Sequence, residues 1–209
     1  MDQESLVKLI LIPGLWLVFK KSKSLPIKPL LKWDLDPRKH GHKLTPVRIS
    51  TDNMFAITLY APVLLISTIE LIISKRCDLA YTSRYCIGFL TSGIMTSVIK
   101  IIVSRPRPNA MAYEEDMKDR ASGNHKKAHI ARQSFLSGHA FGGVFASTFT
   151  SLFLMKKFPQ MPASLTGILF LSGLYPGLTQ AIDHWHHETD VLAGYTFGLA
   201  TSLLSFCIA

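Results

Sequence analysis

Two apolar runs frame one polar octet in the last quarter of the chain: ASLTGILFLSGLYPGLTQAI (163–182), DHWHHETD (183–190) and VLAGYTFGLATSLLSFCIA (191–209). Each run is close to the roughly 20 residues that a helix needs to cross the hydrocarbon core of a bilayer. Only helices and closed barrels satisfy every backbone hydrogen bond in lipid. Uninterrupted runs of this length select helices, because barrel strands alternate polarity over shorter pieces. The octet concentrates Asp183, His184, His186, His187, Glu188 and Asp190 at the boundary between the two runs. Charge at such a boundary is ordinary, but three imidazoles and three carboxylates together suggest chemistry. If helical, the His186-x3-Asp190 spacing sets imidazole and carboxylate on one face, one turn apart. A carboxylate holding one ring nitrogen fixes the tautomer and leaves the other nitrogen free to attack or to take a proton.

Outward from the octet the same alternation continues. The chain is 48% hydrophobic with a formal net charge of +9, and the charges are pushed between apolar runs instead of being mixed among them, which is membrane patterning. Met54–Ser74 is one span, carrying Pro62 and a lone Glu70, and Leu79–Val103 is another. Ser134–Met155 is rich in Ser, Gly and Ala, which permit close helix approach. Ser5–Phe19 is weaker: about 15 apolar residues, where a span needs roughly 20, with Lys8 and a Pro13-Gly14 break inside it. It reads as a short first span or an interfacial anchor; its acidic start and the lack of a small-x-small site argue against a cleaved signal peptide. The expectation is an all-α integral membrane six-helix bundle whose first helix is short or doubtful. It forms a single domain over residues 1–209, with a basic polar loop at 20–53 and site loops at 104–133 and 183–190. Cys77, Cys86 and Cys207 are too widely spaced for a disulfide framework or a cysteine metal site.

A second cluster, Lys100-Ile-Ile-Val-Ser-Arg-Pro-Arg-Pro108, ends the Leu79–Val103 span. Lys100 lies in an apolar stretch, where an ionisable group is costly and therefore points to function. Pro106 and Pro108 stop the helix. Arg105 reads equally as a snorkelling flank, whereas Lys100 and Arg107 together, a point charge and a planar guanidinium, suit a phosphate group. The third cluster, Ser134-Phe-Leu-Ser-Gly-His139, opens the next span. Ser137 and Gly138 at a helix start offer backbone N–H groups to an anion, and His139 is placed to give a proton to a leaving oxygen. Arg107 and His139 flank one polar loop, and His186 follows two further spans, so the three clusters share one membrane face if the runs span.

Lys100-x6-Arg107-Pro108, Ser137-Gly138-His139 and Thr179…His186-x3-Asp190 resemble the three signature motifs of the type 2 phosphatidic acid phosphatase superfamily, its eukaryotic lipid phosphate phosphatases above all. Ala131-Arg-Gln-Ser-Phe-Leu-Ser-Gly-His139 is similar to that subfamily's second motif, and Asp183, His186-His187 and Asp190-Val-Leu-Ala-Gly194 to its third. The resemblance implies a metal-independent phosphomonoesterase acting on phosphatidic acid and related lipid phosphates, with no cofactor. It implies His186 as the nucleophile that forms a phosphohistidine, Asp190 orienting it and His139 protonating the departing alcohol. Lys100, Arg107 and the Ser137–Gly138 amides would hold the phosphoryl oxygens. The expected partners are the lipid phosphate and the bilayer, with no nucleic acid and a homo-oligomer left open.

One position departs from the pattern. The family's third motif has Arg immediately after Ser/Thr, and here that position is Gln180. Gln keeps donors but loses the charge and the bidentate fork. Three readings stay open: an active lipid phosphatase, a weak or silent relative that binds lipid phosphates or partners, and a transporter-like or metal-binding protein using His184, His186, His187 and Glu188 on Zn²⁺. Orientation is also divided. Residues 20–53 carry nine Lys/Arg against three Asp, and 104–133 carry seven Lys/Arg, which places the site loops in the cytosol by the positive-inside rule. The resemblance implies a lumenal or extracellular site, in the endoplasmic reticulum or plasma membrane.

Overall fold

The computed structural model of the chain describes residues 3–22, 33–74, 79–112 and 128–207, and every regular element among them is helical. The expected all-α membrane bundle is what forms. Four of its helical segments, Thr51–Ile73, Ala80–Val103, Ala163–Ile182 and Glu188–Cys207, are long and apolar enough to cross a bilayer. Leu64, Ile72, Ile168, Leu192 and Leu204, each at least 60% exposed, lie on their outer faces.

α1 (Gln3–Ser22) is a complete 20-residue helix with Pro13 inside it. The helix is longer than the apolar run of residues 5–19 because polar residues at both ends join it, and it is not one of the four segments apolar enough to cross a bilayer. Its last turn docks on α5 (Ala80–Val103), where the Phe19 ring occupies the space that a Cβ on Gly93 would take. Of the polar connection, residues 33–50 are described and contain the single turn α2 (Pro37–His40), capped by the Asp36 side chain.

The Met54–Ser74 span begins earlier than the hydropathy suggests, because Ser50 caps the Asn53 N–H. α3 (Thr51–Phe55) runs through one π-helical turn, Ala56–Tyr60, into α4 (Ala61–Ser74). Pro62 has no N–H for the Thr58 carbonyl four residues back, and the buried Tyr85 hydroxyl of α5 donates to that carbonyl instead. Glu70 is explained in the same way. Its carboxylate accepts the Tyr81 and Thr82 N–H groups at 2.7 and 2.9 Å and the Thr82 hydroxyl at 2.7 Å. It thus caps the start of α5, where the helix dipole favours an anion, and the Leu79 side chain makes no such bond.

α6 (Gly138–Lys157) is the central helix. Residues 140–151 are all buried, so its Ser and Thr hydroxyls face protein and not lipid. Helix starts are set by caps: Ser134–Ser137, expected inside this span, lies outside the helix because Ser137 is its N-cap, with Oγ accepting from the Ala140 N–H. Phe141, Phe145 and Phe149 recur every four residues, which places them on one face, against Tyr85 and Phe89 of α5. Burial from lipid brings no hydrophobic gain, so this interdigitation contributes through van der Waals contact. The 163–182 run is not one continuous helix: α7 (Ala163–Ser172) and α8 (Tyr175–Ile182) are separated at Gly173–Leu174. The Leu174 carbonyl, which accepts the Leu178 N–H at 3.1 Å, also accepts the Tyr195 hydroxyl of α9 (Glu188–Cys207) at 2.5 Å.

α9 makes its largest contact with α6, through Gly194 and Gly198. A Cβ on either would stand 2.6 Å from the Ser137 carbonyl or 2.5 Å from that of Phe141. This close approach brings the start of α9, with Asp190, against the start of α6, with Ser137. Residues 33–50, 104–112, 128–137 and 183–187 meet at one end of the bundle, as the contacts below show.

Candidate active site

A cavity of about 510 Å³ opens where these loops meet, within the size range of small-ligand sites. One end is polar, lined by Lys100, Arg107, Gly138, His139, Gln180 and His186; the other is apolar, lined by Phe19, Met54, Phe55, Phe89 and Phe141. Side chains from all three sequence clusters thus reach one space.

His186 comes from the turn after α8. The Trp185 and His186 N–H groups both return to the Gln180 carbonyl, at 2.9 and 3.2 Å, and His184 takes the left-handed conformation with φ 55°, which His tolerates better than bulky residues do. The His186 side chain is buried, 3% exposed. Burial holds its pKa well below the ordinary 6.5, and the positive charges of Lys100, Arg107 and His139 lower it further. The imidazole is therefore neutral at physiological pH, the state a nitrogen nucleophile needs.

The expected helical pairing of His186 with Asp190 does not form. α9 starts at Glu188, so His186 lies in the preceding turn while Asp190 is in the first turn of the helix. The Asp190 carboxylate, fully buried, bonds elsewhere. Oδ1 meets the Arg105 guanidinium at 2.5 Å, and Oδ2 accepts the Ser134 hydroxyl at 2.5 Å and the His187 N–H at 3.1 Å. The last bond is the backward half of a capping box. His186 meets Ser134 instead: Nδ1 stands 3.5 Å from its Oγ, and the ring also bonds its backbone.

Lys100 donates to the Gln133 carbonyl at 3.2 Å. Arg107 donates through Nε to the Ile130 carbonyl and through Nη1 to the Trp185 carbonyl, at 3.0 and 3.3 Å, and stacks over the Trp185 ring. Both cations are thereby aimed by backbone carbonyls. Gln180 is buried at 2% exposure, and its Nε2 has no hydrogen-bond partner among the described residues. Gly138 opens α6 at the cavity, where a helix start presents N–H groups to an anion. The Ser137 N–H is not available for that purpose: it donates to the Asp190 carbonyl at 3.0 Å. Of the Ser137–Gly138 pair, Gly138 is the member that lines the cavity. His139 lines the cavity, with Nε2 3.0 Å from the Ile49 carbonyl.

Sequence reasoning passed over the stretch 33–50, taken as a basic connection. It straps the site. Ile49 meets His139; Arg48 pairs with Asp183 at 3.0 Å; the Trp185 indole donates to the Thr45 carbonyl at 3.1 Å; His42 stacks on His184 and His40 packs edge-on against His187. These contacts span 90 residues and more, so no local spacing could signal them. Arg105 and Ser134 were visible inside the quoted motifs, but their joint hold on Asp190 was not. As for a histidine metal site, His184 turns to His42, His187 to the Pro106 carbonyl at 3.1 Å and His186 to Ser134. Among the described residues, no group of three or more His, Cys, Asp or Glu side chains is placed to hold a metal ion.

Several known proteins are similar to this chain. Lipid phosphate phosphatase 1 of Arabidopsis thaliana is 29% identical over 182 residues, 78% of this chain and 55% of that protein. Phospholipid phosphatase 2 of Homo sapiens is 26% identical over 186 residues, 71% of this chain and 65% of that protein. Probable lipid phosphate phosphatase 4 of Arabidopsis thaliana is 30% identical over 139 residues, covering 57% and 45% respectively. The chain thus spans roughly half to two thirds of the length of these curated relatives. No solved structure matches it. The PAP2 superfamily profile covers residues 81–209, which include all three clusters lining the cavity, and the chain therefore belongs to the PAP2 superfamily.

Proposed function

We propose that this chain is an integral-membrane, metal-independent lipid phosphate phosphatase, hydrolysing phosphatidic acid and related lipid phosphomonoesters through a phosphohistidine. The observation that carries this reading is one buried imidazole, His186, kept neutral beside two cations, Lys100 and Arg107, in a cavity with an apolar far end. Phosphoryl transfer asks mainly for positioning and charge neutralisation. Lys100, Arg107, the Gly138 amide and Gln180 supply the donors around the phosphoryl oxygens, and the Phe- and Met-lined end suits hydrocarbon. His186 attacks phosphorus as the ester P–O bond breaks. The departing alcohol oxygen takes its proton from His139, which then receives the proton of the water that cleaves the N–P bond. The relatives' names support the lipid phosphate class. The site is proposed to face the lumen or the exterior, in the endoplasmic reticulum or plasma membrane.

Purified protein in detergent, given phosphatidic acid with EDTA present, tests the reading. Phosphate release that survives the chelator and disappears in His186→Ala, with expression and folding retained, is the expected outcome. Undiminished release from His186→Ala contradicts the mechanism, and loss of release in EDTA contradicts metal independence.

The pH dependence follows from the depressed pKa of His186. A lowered pKa keeps the neutral, reactive form populated to lower pH, so the acid limb of kcat/KM falls below 6.5. Removing a neighbouring positive charge in Lys100→Gln raises that pKa, and the limb moves upward. A limb that does not move in the variant assigns it to another group, such as the substrate's own second phosphate ionisation, near pH 6.

A second reading is favoured by Gln180: where the motif carries a guanidinium, a neutral amide with an unpartnered Nε2 lines the cavity. Loss of one charged contact can cost about 10²–10³ in rate, which would leave a weak or silent relative. Gln180→Arg is expected to hydrolyse phosphatidic acid about tenfold faster or more, since roughly 1.4 kcal/mol of transition-state stabilisation is a factor of ten. The gain belongs in kcat if the contact strengthens as charge develops. Parent and variant that are both inert yet bind lipid phosphate establish the silent relative.

A further inference from the structure

We propose that Ser134 is a positioning residue that holds the Nδ1 of His186, and that Asp190 acts on the imidazole only through it. The functional half of this statement rests on the phosphatase reading; the geometric half does not.

The direction of each hydrogen bond follows from valence. Asp190 is fully buried, takes the Arg105 guanidinium on Oδ1 at 2.5 Å and, as a carboxylate, only accepts hydrogen bonds. Ser134, also fully buried, has a single hydroxyl proton, and its Oγ stands 2.5 Å from Asp190 Oδ2 and 3.5 Å from His186 Nδ1. The shorter contact to an anion claims the proton, so Ser134 turns lone pairs toward the ring. Nδ1 is then the ring's donor, and in a neutral imidazole Nε2 carries the lone pair. The serine is itself fixed, because its N–H donates to the Arg105 carbonyl at 3.0 Å. Arg105, Asp190, Ser134 and His186 form one chain of bonds, and the third member selects the tautomer that can attack.

During reaction the Nε2–P bond forms while the ester P–O bond breaks, and its electron pair leaves on the alcohol oxygen, protonated by His139. The ring retains the Nδ1 proton and becomes cationic. The Ser134 hydroxyl, polarised by Asp190, meets that charge and shortens its contact with Nδ1, as catalytic hydrogen bonds that are long in a ligand-free site commonly do. Attack by water on phosphorus returns the N–P pair to Nε2 and restores the neutral ring, so Ser134 neither gains nor loses a proton over the cycle.

Nitrogen NMR of the detergent-solubilised full chain with isotope-labelled histidine tests this, the His186 signal being assigned by its loss in His186→Gln. The parent is expected to hold His186 as the Nδ1–H tautomer above the ring's pKa. Ser134→Ala, which keeps the backbone bond to the ring, should weaken the preference for Nδ1–H and lower kcat roughly tenfold to a hundredfold, the range for groups that orient a metal-bound histidine from behind, with KM changed less than about twofold. Ser134→Thr, which keeps the hydroxyl, should restore the tautomer and most of kcat. A parent His186 found as Nε2–H overturns the proposal without need of any variant. So does a Ser134→Ala protein with tautomer and kcat unchanged. A Ser134→Ala protein that loses thermal stability and kcat but keeps the tautomer makes the residue merely structural, against the proposal. If the parent releases no phosphate at all, the phosphatase reading fails, and the tautomer still decides the role of Ser134.

Discussion

The Asp190 carboxylate joins everything that matters at this end of the bundle. It gathers Arg105 from the loop after α5, Ser134 from the approach to α6, and the His187 N–H from the turn before its own helix. Its backbone carbonyl takes the Ser137 N–H as well. Three segments far apart in sequence are thereby tied to one fully buried anion. Such a centre is stable only while every partner is present: removing one member of a buried ion pair costs about 3–5 kcal/mol because the other charge is left uncompensated. The close approach of α9 to α6 at Gly194 makes the junction geometrically available. The aromatic ladder of α6 against α5 sets the distance at which Arg105 must reach across.

Once the carboxylate is committed to Arg105, the polar end of the cavity takes its electrostatic character from the remaining groups. Lys100 and Arg107 are aimed by backbone carbonyls, Arg107 additionally by the Trp185 ring, and the imidazole between them is driven neutral. Cations around a neutral imidazole attract an anion and leave one ring nitrogen its lone pair, which is the combination the proposed phosphoryl transfer needs. The strap of residues 33–50 closes over this arrangement. Its Arg48–Asp183 pair and its Ile49 contact with His139 link the stretch after α1 to the second and third clusters.

Much of this was legible in the sequence, for identifiable reasons. Hydropathy runs show spans because lipid demands them, and clusters of ionisable residues at their ends show function because lipid penalises them. Parity of spans placed Lys100, Arg107, His139 and His186 on one face, and the cavity brings them together. What hydropathy could not show is backbone continuity: Pro62 is absorbed by a π turn and a tyrosine hydroxyl, and the helix breaks at Gly173–Leu174, where Tyr195 ties α9 to the Leu174 carbonyl. Helix periodicity misled at His186-x3-Asp190, because α9 starts only at Glu188 and His186 lies in the turn before it, outside the helical register. Ser137 was read as an anion donor from its place at a helix start, yet long-range pairing with the Asp190 carbonyl decides where its N–H goes. Glu70 could only be recognised as out of place; that it caps a neighbouring helix is a tertiary fact.

The central claim is that His186 carries the phosphoryl group. The most direct measurement is to quench the purified protein during turnover of phosphatidic acid with a radiolabelled phosphate, and to locate the bound label by peptide mapping. An acid-labile, alkali-stable phosphate on the peptide containing His186 is the predicted result. Turnover with no phosphoenzyme trapped under any quench, or label recovered on another residue, would contradict the account.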